Sequence, residues 1–263
     1  MIDLEPITRL TNDLKTAAHT LSSSEARFLV DSYYMMQEQR KRTDNQVRAL
    51  GESGEPNTVI HWYAEQSYAL EKQVARALDA YSGSNAVGRW MRDIDGIGPI
   101  IAAGLLAYID IHKATTAGCV WRFAGLDPTQ KWEKGQKRPF NAALKTLCWK
   151  IGESFVKVKG KETDIYGKIY EQRKILEEEY NNSGQYKDQA AEYIKSFPAH
   201  AQKAIYLKGM LPQGHLHSRA KRYAVKLFLA HLHEVWRRHE GLDVPAPYAI
   251  AILGHAHKIE PKP

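Results

Sequence analysis

The chain has 263 residues, 43% of them hydrophobic and 25% charged, a balance that supports a packed core and excludes a disordered polar chain. Two cysteines are too few for a disulfide framework and point to a reducing compartment, with the cytoplasm as the default location. The formal charge of +7 is uneven: residues 86–159 carry twelve Lys/Arg against six Asp/Glu and residues 197–263 ten against four, while residues 1–85 and 160–196 are net acidic. Such a distribution favours a polyanionic partner for the two basic stretches, the alternative being a solvated basic face. The longest apolar run, Ile100 to Ile109, has the length of a core helix and not of a membrane span, and MIDLEPIT carries no secretory signal.

The first 85 residues read as three helices. Leu4, Ile7, Leu10, Leu14, Ala17 and Leu21 recur at steps of three and four. Ser22 followed by Glu25 predicts a capping box for a second helix running to about Val47, and GESGEP (Gly51 to Pro56) a break. Ile60, Tyr63, Ser67, Leu70, Val74, Ala77 and Tyr81 form a heptad-like seam on the third. That seam serves either a helical hairpin within one chain or a coiled coil, so a homo-oligomer through these helices is expected. SGSN (Ser82 to Asn85) then reads as a short linker.

The segment MRDIDGIGPIIAAGLLAYID, Met91 to Asp110, is the focus of the chain. A helix ending near Asp93, the run Gly96-Ile97-Gly98, and Pro99 opening an apolar helix have the layout of a helix-hairpin-helix, a module that grips nucleic-acid backbone. The glycines permit backbone angles that side chains resist and leave room for a phosphate, and Pro99 suits the first helical position. Amides from Ile100 onward lack intrahelical partners at the positive end of the helix dipole, where a phosphate oxygen is a natural acceptor. Ile97 is expected to plug between the two helices. An ordinary tight helix–helix turn is the alternative.

Thr115 to Ala124 predicts a helix with Val120, Phe123 and Ala124 inward. Asp127-Pro128 signals a turn and Gly135 a loop apex, in a loop about the size of a β-ribbon or tongue. Lys131, Lys134, Lys137 and Arg138 interleave there with Trp132 and Phe140, a pattern suited to phosphate contact and base stacking; alternatively Trp132 plugs the core and the lysines solvate the loop. Asn141 to Phe155 predicts an amphipathic helix, residues 165–180 a charged one, residues 187–208 two shorter ones, and Met210 to His217 a loop. A long helix follows from Ser218 to about Glu240, with Ala220, Ala224, Leu227, His231 and Val235 on one face and Arg219, Arg222 and Lys226 on another. The second set either lines a backbone groove or is simply solvated.

Eleven histidines include the pairs His215/His217, His231/His233 and His255/His257, but residues two apart on a helix point to opposite sides and cannot share a metal. Only in an extended loop would His215 and His217 qualify. Asp93, Asp95, Asp110 and Asp127 read as caps and turns rather than as a two-metal nuclease centre. No metal or cofactor is expected.

IDGIGPIIAAGLLAYIDI, then WRFAGLDPTQK, then GQKRPFNAALKTL, and later RAKRYAVKLFLAHLHEVW, together resemble the C-terminal transposase domain of the bridge-RNA-guided insertion-sequence transposases. The resemblance covers residues 90–155 well and 165–238 loosely. It implies nucleic-acid binding and mobile-element ancestry. Two departures limit it: those transposases begin with a RuvC-like α/β domain bearing four acidic residues, and they use a serine nucleophile in the loop after GL-x-P. This chain has no serine between Cys119 and Glu153, and Thr129 is the sole candidate hydroxyl in the loop.

The expected fold is all-α: a helical hairpin or coiled-coil region over 1–85, a helix-hairpin-helix region with a basic loop over 86–160, and a C-terminal helical region over 161–263 packing on it. The expected function is non-catalytic binding of nucleic-acid backbone by a protein related or accessory to transposases, with duplex DNA the first partner. Alternatives are a structured-RNA binder, and a recombinase or nuclease that completes its site with a partner chain or with Thr129.

Overall fold

The computed structural model describes residues 10–54, 58–130, 132–246 and 258–262. Leu4, Ile7, Lys131, His255 and His257 lie outside them. Among the described residues the fold is all-α, with eleven α-helices and no strand. No helix among them is long and apolar enough to cross a membrane. The chain divides into two compact units: one runs through Asp93 and resumes at Gly98–Lys113, and the other joins Ile94–Ile97 to Ala114 and everything after it. The division therefore falls inside the glycine turn and again after Lys113.

In the first unit, α1 (Asn12–Ala17) is capped by the Thr11 hydroxyl and followed by a 3-10 turn, Ala18–Thr20. Ala18 packs on Ala77 and Ala80, with Leu10 and Leu21 at the edge. The Ser22–Glu25 capping box opens α2 (Ser23–Ser53), which runs beyond Val47 and through Gly51 until Gly54 takes the left-handed conformation at φ 72°. Antiparallel to it, α3 (Thr58–Ser84) is tied by Arg40, whose Nε lies 2.8 Å from Glu71 Oε2. The seam expected on α3 is not its buried stripe. Of the seam residues only Ala77 is buried while Tyr63 and Leu70 are exposed, and the other buried positions of α3 are Glu71, Leu78, Ala80 and Ser82. Ser82 sits inside the helix because its hydroxyl folds back onto the Leu78 carbonyl at 2.9 Å, so the linker shrinks to Asn85. Asn85 in turn caps α4 (Ala86–Arg92) by accepting from the amides of Val87 and Gly88.

Helix α5 (Pro99–Tyr108) lies against both α2 and α3, with Ala102 through Tyr108 buried. Tyr108 donates its hydroxyl proton to Asp31 at 2.5 Å. Gly88 makes the close crossing of α4. A Cβ there would fall 2.0 Å from the Ser82 carbonyl oxygen and 3.1 Å from Leu106 Cδ1.

The second unit holds α6 (Ala117–Phe123), α7 (Ala142–Val158), α8 (Tyr166–Asn182), α9 (Lys187–Ser196), α10 (Lys203–Leu207) and α11 (Gln213–His239). Helix α11 packs on α6, α7 and α8. Phe155 stacks on Tyr166 with ring centres 5.0 Å apart, and Phe228 meets both edge-on. A satellite core gathers Tyr186, Ala190, Tyr206, Leu211 and Leu216. Helix α11 starts five residues earlier than Ser218, because Pro212 precedes its first turn and Leu216 is an anchor of that satellite core. His215 and His217 are therefore helical and not in an extended loop. Their rings part accordingly, His215 toward Tyr193 and His217 onto the Tyr170 hydroxyl at 2.7 Å.

Candidate nucleic-acid interface

The sequence-derived residues fall into two places, one in each unit and one of them split by the division. In the first unit, Gly98 is extended (φ −85°, ψ 173°) and precedes α5, with Pro99 at the first helical position. The first amide of α5 to find a backbone partner is that of Ala102, which donates to the Gly98 carbonyl at 3.0 Å. The amides of Ile100 and Ile101 precede it at the positive end of the helix. A Cβ on Gly98 would meet nothing within 4 Å, so the approach to those amides is open on that side. Ile100 is half-buried.

The turn Ile94–Ile97 belongs to the second unit. Gly96 has φ 92°, and a Cβ there would touch Phe155 and Ser154 at 3.2 Å and Val158 at 3.3 Å. Ser154 donates its hydroxyl to the Gly96 carbonyl at 2.6 Å, and Ile97 is buried. Asp95 accepts from the Thr163 hydroxyl at 2.5 Å and from Lys161 at 2.9 Å, and these bonds hold its carboxyl below the ordinary range. Gly96 thus serves packing against α7, and Gly98 is the glycine that leaves space.

The second place is the loop between α6 and α7. Among its described residues it has no strand, so no β-ribbon forms there. Asp127 Oδ1 accepts from both the amide and the hydroxyl of Thr129, at 2.9 and 2.7 Å, and this turn starts the loop. The Thr129 bond is also the main reason the Asp127 carboxyl is held low, which makes it a poor proton acceptor for that hydroxyl. Gln130 closes the base by donating to the Pro139 carbonyl at 3.0 Å. At the apex Gly135 has φ 97°, and Trp132 donates its indole N–H to the Gln136 carbonyl at 2.9 Å. Trp132 remains 40% exposed, so it is not a core plug, and the Arg138 guanidinium lies 5.5 Å from its ring centre. Lys134 and Lys137 are exposed with no carboxylate partner among the described residues.

Helix α11 brings one of its three candidate cations, Lys226, to this loop. Lys226 and Arg122 both act on Asp127, beyond ion-pair distance, and lower its pKa further. Burial pushes Lys226 below its ordinary value, with Arg222 adding repulsion and Asp127 opposing. Burial also lowers Arg222, with Arg219 adding repulsion and Glu177 opposing, so Arg222 lies toward the Arg219–Glu177 pair. Arg219 is spent elsewhere. Its Nε lies 2.6 Å from Glu177 Oε2, its other nitrogens reach Gln189 and the Tyr186 hydroxyl, and its guanidinium covers the Tyr186 ring at 4.5 Å. Glu177 is buried and holds Arg173 as well, at 2.6 Å. Arg219 is therefore a structural cation that anchors α11 to α8.

No protein-family model, curated protein or solved structure matches this chain. The reading of the site rests on its geometry.

The geometry also places residues that sequence patterns missed. Phe123, expected inward, is 43% exposed, because α6 ends at Phe123 and turns its buried side, Val120 and Ala124, toward α11. Trp149 on α7 is 60% exposed. Arg122 is exposed beside Asp127. An arginine two residues after the buried Val120 carries no signal of its own. Its role follows from where α6 ends. Among the described residues no group of His, Cys, Asp or Glu is arranged to hold a metal.

Proposed function

We propose that this protein binds nucleic acid through its phosphate backbone, with duplex DNA as the first substrate, and that it is a non-catalytic relative or accessory of transposases. The observation that carries the reading is the gathering of Arg122 and Lys226 around Asp127, at the foot of a loop that presents Lys134, Lys137 and Arg138. Five cations, Arg122, Lys226, Lys134, Lys137 and Arg138, stand in this region against the carboxylates of Asp127 and Glu133, and such an excess is stabilised by a polyanion. The open α5 terminus at Gly98 supports the reading as a separate phosphate seat. The resemblance of residues 90–155 to transposase C-terminal domains supports the lineage. Thr129 is assigned to the turn and not to catalysis, because its partner carboxylate is held ionised.

Backbone contact predicts weak sequence preference and steep salt dependence. The test is titration of labelled 20-base-pair DNA with purified full-length protein across salt, with magnesium present. Binding with a log–log slope of about −4 or steeper, as four to six phosphate contacts imply, and intact DNA afterwards support the proposal. Absence of salt-sensitive binding to DNA or structured RNA overturns it, and cleaved DNA or a covalent adduct replaces it with the recombinase reading.

A further inference from the structure

The loop between α6 and α7 and the helices beside it carry more than positive charge. Four aromatic rings in this part of the second unit each have a cation over or beside them. Arg138 covers Trp132 at 5.5 Å, Lys145 covers Phe140 at 4.2 Å, Lys221 approaches Trp149 at 6.0 Å, and Lys226 covers Trp121 at 4.3 Å. Trp132, Trp149 and Phe123 keep 40%, 60% and 43% of their surface in water.

Phe140 and Lys145 meet at Gly125. A Cβ on Gly125 would lie 2.8 Å from the Phe140 ring and 3.1 Å from Lys145 Cδ. The loop thus returns against the end of α6 and passes directly into α7. The Asn141 amide donates to the Phe123 carbonyl at 2.9 Å, fixing the exposed Phe123 beside the same junction. Trp149 sits one turn along α7 from Lys145, on the same side of the helix. Lys221 pairs with Glu153, whereas Lys145 has no carboxylate partner among the described residues.

Duplex DNA explains only half of this arrangement. Its phosphates satisfy cations, but its bases are stacked on one another and offer edges rather than ring faces. Exposed indoles beside cations match a ligand that presents phosphates and free base faces together. We propose that this face of the second unit takes unpaired nucleotides, with bases stacked on Trp132 and Trp149 and the intervening phosphates at Lys134, Lys137, Arg138 and Lys145. The proposal rests on the nucleic-acid reading above and narrows it: a single strand, or the unpaired segment of a folded one, occupies this face, and the sequence-tolerant character of stacking makes base identity secondary.

The test uses the full-length protein and four ligands of equal length: oligothymidylate, the same oligomer with abasic sites at every second position, a duplex, and a fully paired RNA hairpin. Binding is read by fluorescence anisotropy at fixed salt. Oligothymidylate is expected to bind at least fivefold tighter than the abasic oligomer, which keeps the phosphates and loses the stacking faces. Trp149→Ala, on an exposed position that leaves the core intact, is expected to weaken oligothymidylate binding about fivefold or more and to move duplex binding less than twofold, with Trp149→Phe restoring most of the loss. Trp132→Ala is expected to behave the same way. Equal affinity for thymidylate and abasic strands, or equal loss on single strand and duplex, overturns the stacking assignment while leaving backbone binding in place. Failure to bind any of the four overturns both readings.

Discussion

Lys226 meets Trp121 twice: its ammonium lies 4.3 Å from the centre of the indole ring, and its backbone carbonyl accepts the indole N–H at 2.9 Å. The second bond fixes α6 on α11 whatever the lysine side chain does. The first holds the ammonium in one place, beside Asp127 and Arg222. A cation held over an aromatic face and away from full ion pairing remains available to a phosphate. Arg219, seven residues earlier, has the opposite circumstances.

Substitutions along α11 should therefore separate binding from stability. Arg222→Ala and Lys226→Ala are each expected to reduce the magnitude of the log–log salt slope by about one and to leave the unfolding midpoint nearly unchanged. Arg219→Ala removes the charge-assisted bond to a buried carboxylate and is expected to cost about 2 kcal/mol of stability, read by urea unfolding. A salt slope that falls only with Arg219→Ala would reverse the assignment.

The two glycines of the turn should also diverge. At Gly98 an aspartate has room for its side chain and gains a capping position ahead of α5, so Gly98→Asp is expected to preserve stability or raise it by a few tenths of a kcal/mol. The same carboxylate repels phosphate, so affinity for DNA should fall about tenfold or more. Gly96→Ala combines a positive φ with contacts at 3.2 Å and is expected to cost about 2 kcal/mol. Thermal melts and a binding titration on both variants check the pair. Undiminished binding by folded Gly98→Asp would remove the helix terminus from the interface.

Gly88 carries a structural prediction. A methyl group 2.0 Å from the Ser82 carbonyl forces α4 away from the end of α3, so Gly88→Ala is expected to cost about 3 kcal/mol. The loss should be read in the first unit, by faster amide exchange over α4 and α5.

What the sequence made legible was local. The Ser22–Glu25 box, Pro99 opening α5 and the Asp127 turn each depend on residues within a few positions, and each stands where the pattern placed it. Ser82 ended a helix on paper because its type favours linkers, yet its back-bonded hydroxyl keeps it helical. The candidate site depended on distant partners, and there the reading was partial. Arg219, Arg222 and Lys226 share a helical face by periodicity, but periodicity carries no information about Glu177, which lies 42 residues before Arg219. Phe123 was assigned inward by type, and the packing of α6 on α11 through Val120 and Ala124 turned it outward. The all-α class was legible throughout, since helical spacing and caps recur along the chain and nothing alternates with a strand period.

Protonation should loosen the second unit below neutral pH. His231 is buried, receives the Tyr166 hydroxyl at 2.8 Å on Nδ1 and reaches the Ile259 carbonyl at 2.8 Å with Nε2. A carbonyl only accepts, so Nε2 carries a proton, and in the neutral ring the Tyr166 hydroxyl donates to Nδ1. His233 likewise donates from Nε2 to the Ala114 carbonyl at 2.8 Å. Burial pushes both pKa values below the ordinary value of 6.5. The folded state then binds fewer protons than the unfolded one as pH falls. For a base with a depressed folded pKa, its stabilising contribution is complete above the unfolded value and is lost as pH drops through 6.5 toward the folded value. Urea midpoints are expected to decline steadily from pH 7.5 to pH 5, with a proton uptake on unfolding that approaches two for this pair. His231→Gln keeps a donor to Ile259 and cannot ionise, so it should flatten about half of that decline. An unchanged pH dependence in His231→Gln would show that the titrating groups lie elsewhere, with His215 and His217, both also lowered by burial, next in line.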